Sequence, residues 1–158
     1  MKGTTMHDTR LSSAIHMLIL VSEAEAPMSS AQIATSIGTS AAAVRRLASS
    51  LHKGGIISGR RGVTGFTLEV DPRQLTLLDV YRAACDADEV HVFDVHCNPS
   101  DECIVGRHIQ QTLGATYAMI DSATEGALQS ITLADCIKTL RKEAIASGDI
   151  QPGKTGLA

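Results

Sequence analysis

Two groups of side chains in this 158-residue chain have the types and spacing to do chemistry. The first is His91, His96, Cys97, Cys103 and His108, in the order H-x4-H-C-x5-C-x4-H. Imidazole nitrogens and thiolates are ligands for zinc or an iron–sulfur cluster, and Asp94 could add a carboxylate. A thiol beside a histidine can also act as an oxidant-sensitive switch once its pKa is lowered. The spacing matches no standard zinc finger and there is no C-x-x-C pair, so structural or effector-pocket roles stay open. The second group is Arg45, Arg46 and Lys53 with Ala42 and Ser49. At about 100° per residue these five share one helix face, opposite Val44, Leu47, Ala48 and Leu51. A guanidinium can grip O6 and N7 of guanine, and an alanine methyl can meet the thymine methyl. The alternative for that face is plain solvation.

The stretch that positions the arginines is Ser29 to Leu51, SSAQIATSIGTSAAAVRRLASSL. It reads as two short helices capped by Ser29 and Ser40, with Gly38 at the turn between them. A small residue (Ala34), then glycine, then a branched apolar residue (Val44) is the helix-turn-helix order. The two serines would bring helix N-termini and hydroxyls to phosphates. Gly54 and Gly55 then end the second helix, and IISGRRGVTGFTLEV follows as a β-hairpin with a glycine-rich tip. Arg60, Arg61 and Thr64 sit at that tip, suited to phosphate or the minor groove.

Charge agrees with this division. No Asp or Glu occurs from Ala26 to Leu68. Residues 1–70 hold seven basic and four acidic side chains, whereas 71–158 hold seven basic and thirteen acidic, so the net −3 hides a positive first half. With two Phe, two Tyr and no Trp, the core must be aliphatic and helical, and base-stacking single-strand binding is disfavoured. The apolar run Ile15–Val21 is too short to span a bilayer and has no basic leader. Cytoplasmic location, free thiols and no membrane segment are therefore expected.

Before the hairpin, Asp8 or Thr9 is expected to cap a helix to about Val21 with Leu11, Ile15, Leu18 and Val21 buried. Beyond Asp71-Pro72, Thr76-Leu-Leu-Asp79 and Thr132-Leu-Ala-Asp135 are capping boxes with Asp in place of Glu. Residues 86–103 are irregular, and a long helix runs from Ile104 to about Leu128 with a stripe of Val105, Ile109, Leu113, Thr116/Tyr117 and Ile120. Cys85 and Cys136 read as buried small hydrophobes. So long a helix cannot bury its stripe on one small domain, which points to a two-fold homodimer. The reading is mainly α with a small β-hairpin wing: a winged helix-turn-helix at 8–72, a connecting helix and Cys/His loop at 73–103, dimerisation helices at 104–147, and a disordered tail at 148–158.

With its SGRRGVTGFTL wing, LTLLDVYRA segment and CIVGRHIQ…ITLADCI ending, the chain resembles the IscR/NsrR/CymR family of bacterial transcription regulators over about residues 8–145. The resemblance implies a winged-helix DNA-binding domain, a long dimerisation helix, and repression at promoters through a palindromic double-stranded DNA operator. Some members carry an iron–sulfur cluster on three cysteines. Here Cys97 and Cys103 match two, and no cysteine lies near Ile109–Gln111, so the chain resembles the branch without a cluster. DNA affinity would then be modulated through the Cys/His loop. An iron–sulfur or metal-dependent sensor of the same fold is the alternative, and a protein-binding adaptor the rival of another class. Catalysis is not expected: His96 and Cys97 lack an orienting third group, and no phosphate loop or nucleophile elbow occurs.

Overall fold

A computed structural model describes residues 9–59 and 65–153. Six helices and one two-stranded sheet occur among them: α1 (Arg10–Glu23), α2 (Ser30–Ile37), α3 (Ala41–Lys53), β1 (Ile57–Ser58), β2 (Thr67–Leu68), α4 (Leu77–Cys85), α5 (Ile104–Ser130) and α6 (Leu133–Ala146).

The turn between α2 and α3 follows from its residues. Gly38 takes φ +76°, which a side chain would strain, and its N–H donates to Ala34 O at 3.0 Å. Ser29 closes a capping box with Gln32, and the Ser40 hydroxyl accepts from Ala43 N at 3.1 Å. The expected stripe of Val44, Ala48 and Leu51 is buried, with Leu47 half-buried. Strand β1 pairs antiparallel with β2, Ile57 opposite Leu68 and Ser58 opposite Thr67. The strands are shorter than the expected hairpin: Phe66 lies outside β2 and bridges to Met28, so the base of the hairpin is also tied to the loop before α2. Arg60, Arg61 and Thr64 lie outside the described residues, as does Asp8.

Three expectations need correcting. Thr9 precedes α1 but makes no side-chain cap; its carbonyl instead accepts from Ser12 Oγ and Ser13 N. The buried stripe of α1 is Ala14, Met17, Leu18 and Val21, with Leu11 and Ile15 only half-buried. The small Ala14 turns inward where helices cross, which rotates the stripe away from the branched residues. Cys85 is buried as expected, but Cys136 is half-buried, because α6 presents Leu133 and Ile137 to the core instead.

Both expected capping boxes form, and they face one another. Thr76 and Thr132 make an isolated antiparallel bridge, flanked by Leu77 N→Ile131 O at 2.8 Å and Leu133 N→Leu75 O at 2.9 Å. This returns the chain from α5 to the core. Leu133 and Ile137 join one cluster with residues of α1 to α4, so α6 packs with the N-terminal unit although the sequence groups it with α5. A second cluster of Leu78, Tyr81, Cys85 and Val90 lies under the loop after α4. Helix α5, 27 residues long, has no buried residue at all.

The Tyr81 hydroxyl is buried without a hydrogen-bond partner. Such a group contributes nothing and carries its desolvation penalty. Tyr81→Phe is therefore expected to leave urea-unfolding stability unchanged or raise it, whereas Met17→Ala loses about 2–5 kcal/mol. A Tyr81→Phe loss above about 1 kcal/mol would show a bonded hydroxyl.

Candidate nucleic-acid interface

Helix α3 exposes Ala42, Arg45, Arg46, Ser49 and Lys53 on one side, as its periodicity requires. Arg45 Nη1 donates to Ser30 Oγ at 3.4 Å, which braces the guanidinium against the start of α2. Neither Arg45 nor Arg46 is in an ion pair among the described residues. Lys53 is, at 3.1 Å from Asp86 Oδ1, with both side chains more than three-quarters exposed. Such a surface pair is worth little and yields readily to a phosphate. Asp86 itself is the left-handed C-cap of α4, at φ 51°.

Ser29 and Ser40 are where a helix start could meet a phosphate, but their hydroxyls are occupied differently. Ser29 Oγ donates to Gln32 Oε1 at 2.9 Å and accepts from Gln32 N, so both its roles are used. Ser40 Oγ accepts from Ala43 N and keeps its proton free to donate.

The Cys/His group is spread out. Among the described residues no group of three or more His, Cys, Asp or Glu side chains is placed to hold a metal ion. Cys97 and His108 are exposed. Cys103 is the N-cap of α5, its Sγ accepting from Gly106 N at 3.1 Å. Gly106 is required there: a Cβ would run into the Ser100 carbonyl oxygen. The loop is folded directly onto the first turn of α5. Burial pushes the Cys136 thiol up, away from the reactive thiolate.

What the loop does have is a row of attachments to α5. Val92 N donates to Asp121 Oδ1 at 2.8 Å, the Phe93 and Tyr117 rings lie 5.5 Å apart, and Gln110 Nε2 donates to His96 O at 3.1 Å. His91 sits between two carboxylates, with Nε2 3.0 Å from Asp94 Oδ1 and Nδ1 3.2 Å from Asp121 Oδ2. A neutral imidazole has one N–H, so only the imidazolium serves both. Hydrogen bonds donated to Asp94 first and to Asp121 second raise the His91 pKa above its ordinary value. Arg82 Nη2 adds a bond from α4 to Glu125 of α5 at 2.6 Å. Sequence reasoning singled out His91 but missed Asp121, Glu125, Gln110 and Asp86. Each acts on a residue at least 14 positions away, so no local pattern marks it.

The chain matches the Rrf2 family, described as iron-dependent transcriptional regulators, over residues 7–139. It is 42% identical over 135 residues to YwnA of Bacillus subtilis (strain 168), whose name describes an HTH-type transcriptional regulator; the match covers 85% of this chain and 99% of the relative. A crystal structure described as that of a DNA binding protein superposes with TM-score 0.66 at 40% identity, covering 81% of this chain and 98% of the other. T. potens IscR shares the fold at TM-score 0.62 and 22% identity, covering 84% and 86%. The iron in the family's description does not fit this chain's residues as an iron–sulfur cluster. Cys97 and Cys103 are the only thiols in the loop, Cys103 is engaged as a helix cap, and no three-ligand group forms among the described residues. Nor is any described helix long and apolar enough to cross a membrane.

The His91 bridge has a definite pH dependence. Its folded pKa lies above the ordinary 6.5, so the stabilisation is complete below that value and disappears as pH rises through the folded pKa. Denaturant unfolding of wild type and His91→Gln from acid to mildly alkaline pH should show a gap that is widest at the acid end and closes as pH rises. A gap that is constant or widens with pH would contradict the bridge.

Proposed function

The chain belongs to the Rrf2 family of transcriptional regulators, and from that premise we propose that it binds a palindromic double-stranded DNA operator as a homodimer and represses there. The observation that carries this reading is the exposed, carboxylate-free face of α3, with Arg45 and Arg46 outside any ion pair among the described residues. The α3 face enters the major groove, where Arg45 and Arg46 meet base edges beside Ala42 and Ser49. Lys53 exchanges Asp86 for a phosphate. Arg60, Arg61 and Thr64 reach the backbone or minor groove from the hairpin, and the start of α3 at Ser40 meets a phosphate with its free amides. The family and its relatives are regulators and not enzymes.

The homodimer is supported by α5. Ile109, Leu113, Tyr117 and Ile120 are its half-buried side, with Tyr117 against Phe93 of the loop. A different face exposes Ile104, Val105, Thr112, Ala115, Met119 and Ala123, and carries no Asp, Glu, Lys or Arg. At 1.5 Å per residue that face is roughly 30 Å long, enough for a second copy packed two-fold. Modulation runs through the Cys/His loop, because the loop is bonded to α5 at Asp121, Tyr117 and Gln110.

Fluorescence anisotropy on operator and scrambled duplexes tests the DNA reading. Arg45→Ala should lose about 1–3 kcal/mol on the operator and relax specificity, while Arg61→Ala weakens both duplexes similarly. Equal losses on both duplexes for both variants would contradict the division between base and phosphate contacts. In the same assay His91→Gln should shift operator affinity; unchanged affinity would confine that attachment to stability.

For the dimer, Met119→Lys places a charge on the uncharged face of α5. Sedimentation velocity should show wild-type dimers and variant monomers at micromolar concentration, both folded by circular dichroism. A wild-type monomer, or a variant dimer of unchanged affinity, would remove α5 from the interface.

A further inference from the structure

Away from the α3 face, a cleft of about 650 Å³ lies between the end of α1, the Asp71-Pro72-Arg73 turn that follows β2, and one side of α6. That volume is within the usual range for small-molecule sites, roughly 300–1,000 Å³. Pro72, Ala134, Ile137 and Ile145 give it apolar walls. Ile137 is nearly inaccessible, whereas Ile145 is 40% exposed, so the pocket has a closed floor and an open apolar lip.

Its polar groups are predominantly cationic. Lys138, Arg141 and Lys142 fall at helical spacing along α6, and Arg73 faces them from the turn. Two of these cations are already matched. Arg73 holds Asp71 in a fork, with Nη2 2.6 Å from Oδ2 and Nε 3.1 Å from Oδ1. Arg141 Nη2 pairs with Glu23. Lys138 feels Asp135 one turn away but makes no ion pair, and Lys142 makes none either, among the described residues. The pocket's two carboxylates are therefore spent on its two arginines, and positive charge is left over at the rim.

Arg141 itself is incompletely satisfied by its pairing with Glu23. Arg141 Nε is buried and has no hydrogen-bond acceptor. A guanidinium N–H shut away from water without an acceptor is costly, and in a folded protein such a group requires an explanation. Here it belongs to a residue lining a pocket with surplus cations and an apolar wall. An anionic oxygen supplied from outside would sit at the exposed part of Arg141 among Lys138 and Lys142, while an apolar body lay against Ile137, Ile145 and Pro72.

We propose that this cleft binds a small amphipathic organic anion: a carboxylate head held by Arg141 and Lys142, and a hydrocarbon body held by Ile137, Ile145 and Pro72. The site touches α1, the base of the hairpin and α6, so its occupant holds together three segments of the DNA-binding unit. It does not depend on the DNA reading, and its test does not use DNA.

The probe is decanoate, titrated calorimetrically below its micelle concentration into the full-length protein, with decanol as the uncharged control. Decanoate should bind saturably at one site per chain, and decanol about tenfold or more weakly, because the charged head is recognised. Lys142→Glu reverses a rim charge, and Ile145→Glu places a charge against the hydrocarbon body. Each should weaken decanoate by about tenfold or more while leaving the melting temperature of the free protein near wild type. Both positions are exposed enough for the fold to tolerate the change. Absence of saturable decanoate binding to the folded protein overturns the site. So does equal binding of decanol, or decanoate affinity unchanged in both variants.

Discussion

The structure hangs on a pairing of two short segments, Leu75–Leu77 with Ile131–Leu133. Two backbone hydrogen bonds and the Thr76–Thr132 bridge join the starts of α4 and α6, and each start is closed by its own Thr/Asp capping box. Buried N–H and C=O groups must find partners, and here two helix starts supply them to each other. The consequence is long-range. Leu133 becomes fully buried among α1 to α4, α6 is drawn along α1, and α5 must begin its return to the core from wherever its 27 residues have carried it. Arg82–Glu125 and the packing of Leu128 near Tyr81 fix the last turns of α5 against α4. Its first turns have no such support from the core. Among the described residues they are held by the loop that precedes them.

That asymmetry gives the irregular segment before α5 its importance. Loops usually lie on the surface with few obligations, yet this one attaches to α5 at successive depths: Cys103 and Gly106 at the first turn, His96 O with Gln110, Phe93 with Tyr117, and His91 and Val92 with Asp121. Asp121 is the principal anchor, since one carboxylate accepts from a backbone amide and from an imidazole on the same strand of loop. Charge-assisted hydrogen bonds of this kind are stronger than neutral ones, and Asp121 is much less exposed than His91, at 18% against 49%. A change of state at His91 is therefore felt on α5 through a shielded group.

Much of the fold was legible because much of it is local. A helix cap is decided within three residues, so Ser29, Ser40, Thr76 and Thr132 could all be read directly. The turn at Gly38 and the buried face of α3 were equally local. Where the reading slipped, the deciding partner was distant. Ala14 and Met17 replace Ile15 in the core because of how α1 meets the other helices, and nothing in α1's own spacing separates these registers decisively. The packing of α6 against α1 depends on a bridge spanning 56 positions, between Thr76 and Thr132. For the site, the arginine face of α3 was legible as a periodicity. The Cys/His grouping was not, because proximity in sequence within an irregular loop says little about where side chains point. Its five members were singled out as one cluster, yet three of them serve separate purposes: His91 bridges carboxylates, His96 offers a carbonyl, and Cys103 caps a helix, while Cys97 and His108 are exposed.

The two ends of the molecule are thus built on opposite electrostatic rules. From Ala26 to Leu68 carboxylates are absent, and neither arginine of α3 is in an ion pair among the described residues. Beyond Asp71 carboxylates are plentiful, and they are used as fasteners: Asp71 on Arg73, Asp79 and Asp135 in the capping boxes, Asp121 on the loop, Glu125 on Arg82. Asp71 shows how firmly such a fastener is held, since the Arg73 guanidinium and backbone N–H lower its pKa to about 2. Among the described residues Asp86 is the one carboxylate paired on the α3 face, where it reaches Lys53 in the open. A carboxylate that is capped or forked is not free to turn to another cation, so these five do not neutralise the basic face. Screening over about 8–10 Å at physiological salt completes the separation, and the net −3 of the whole chain says little about what the face of α3 presents.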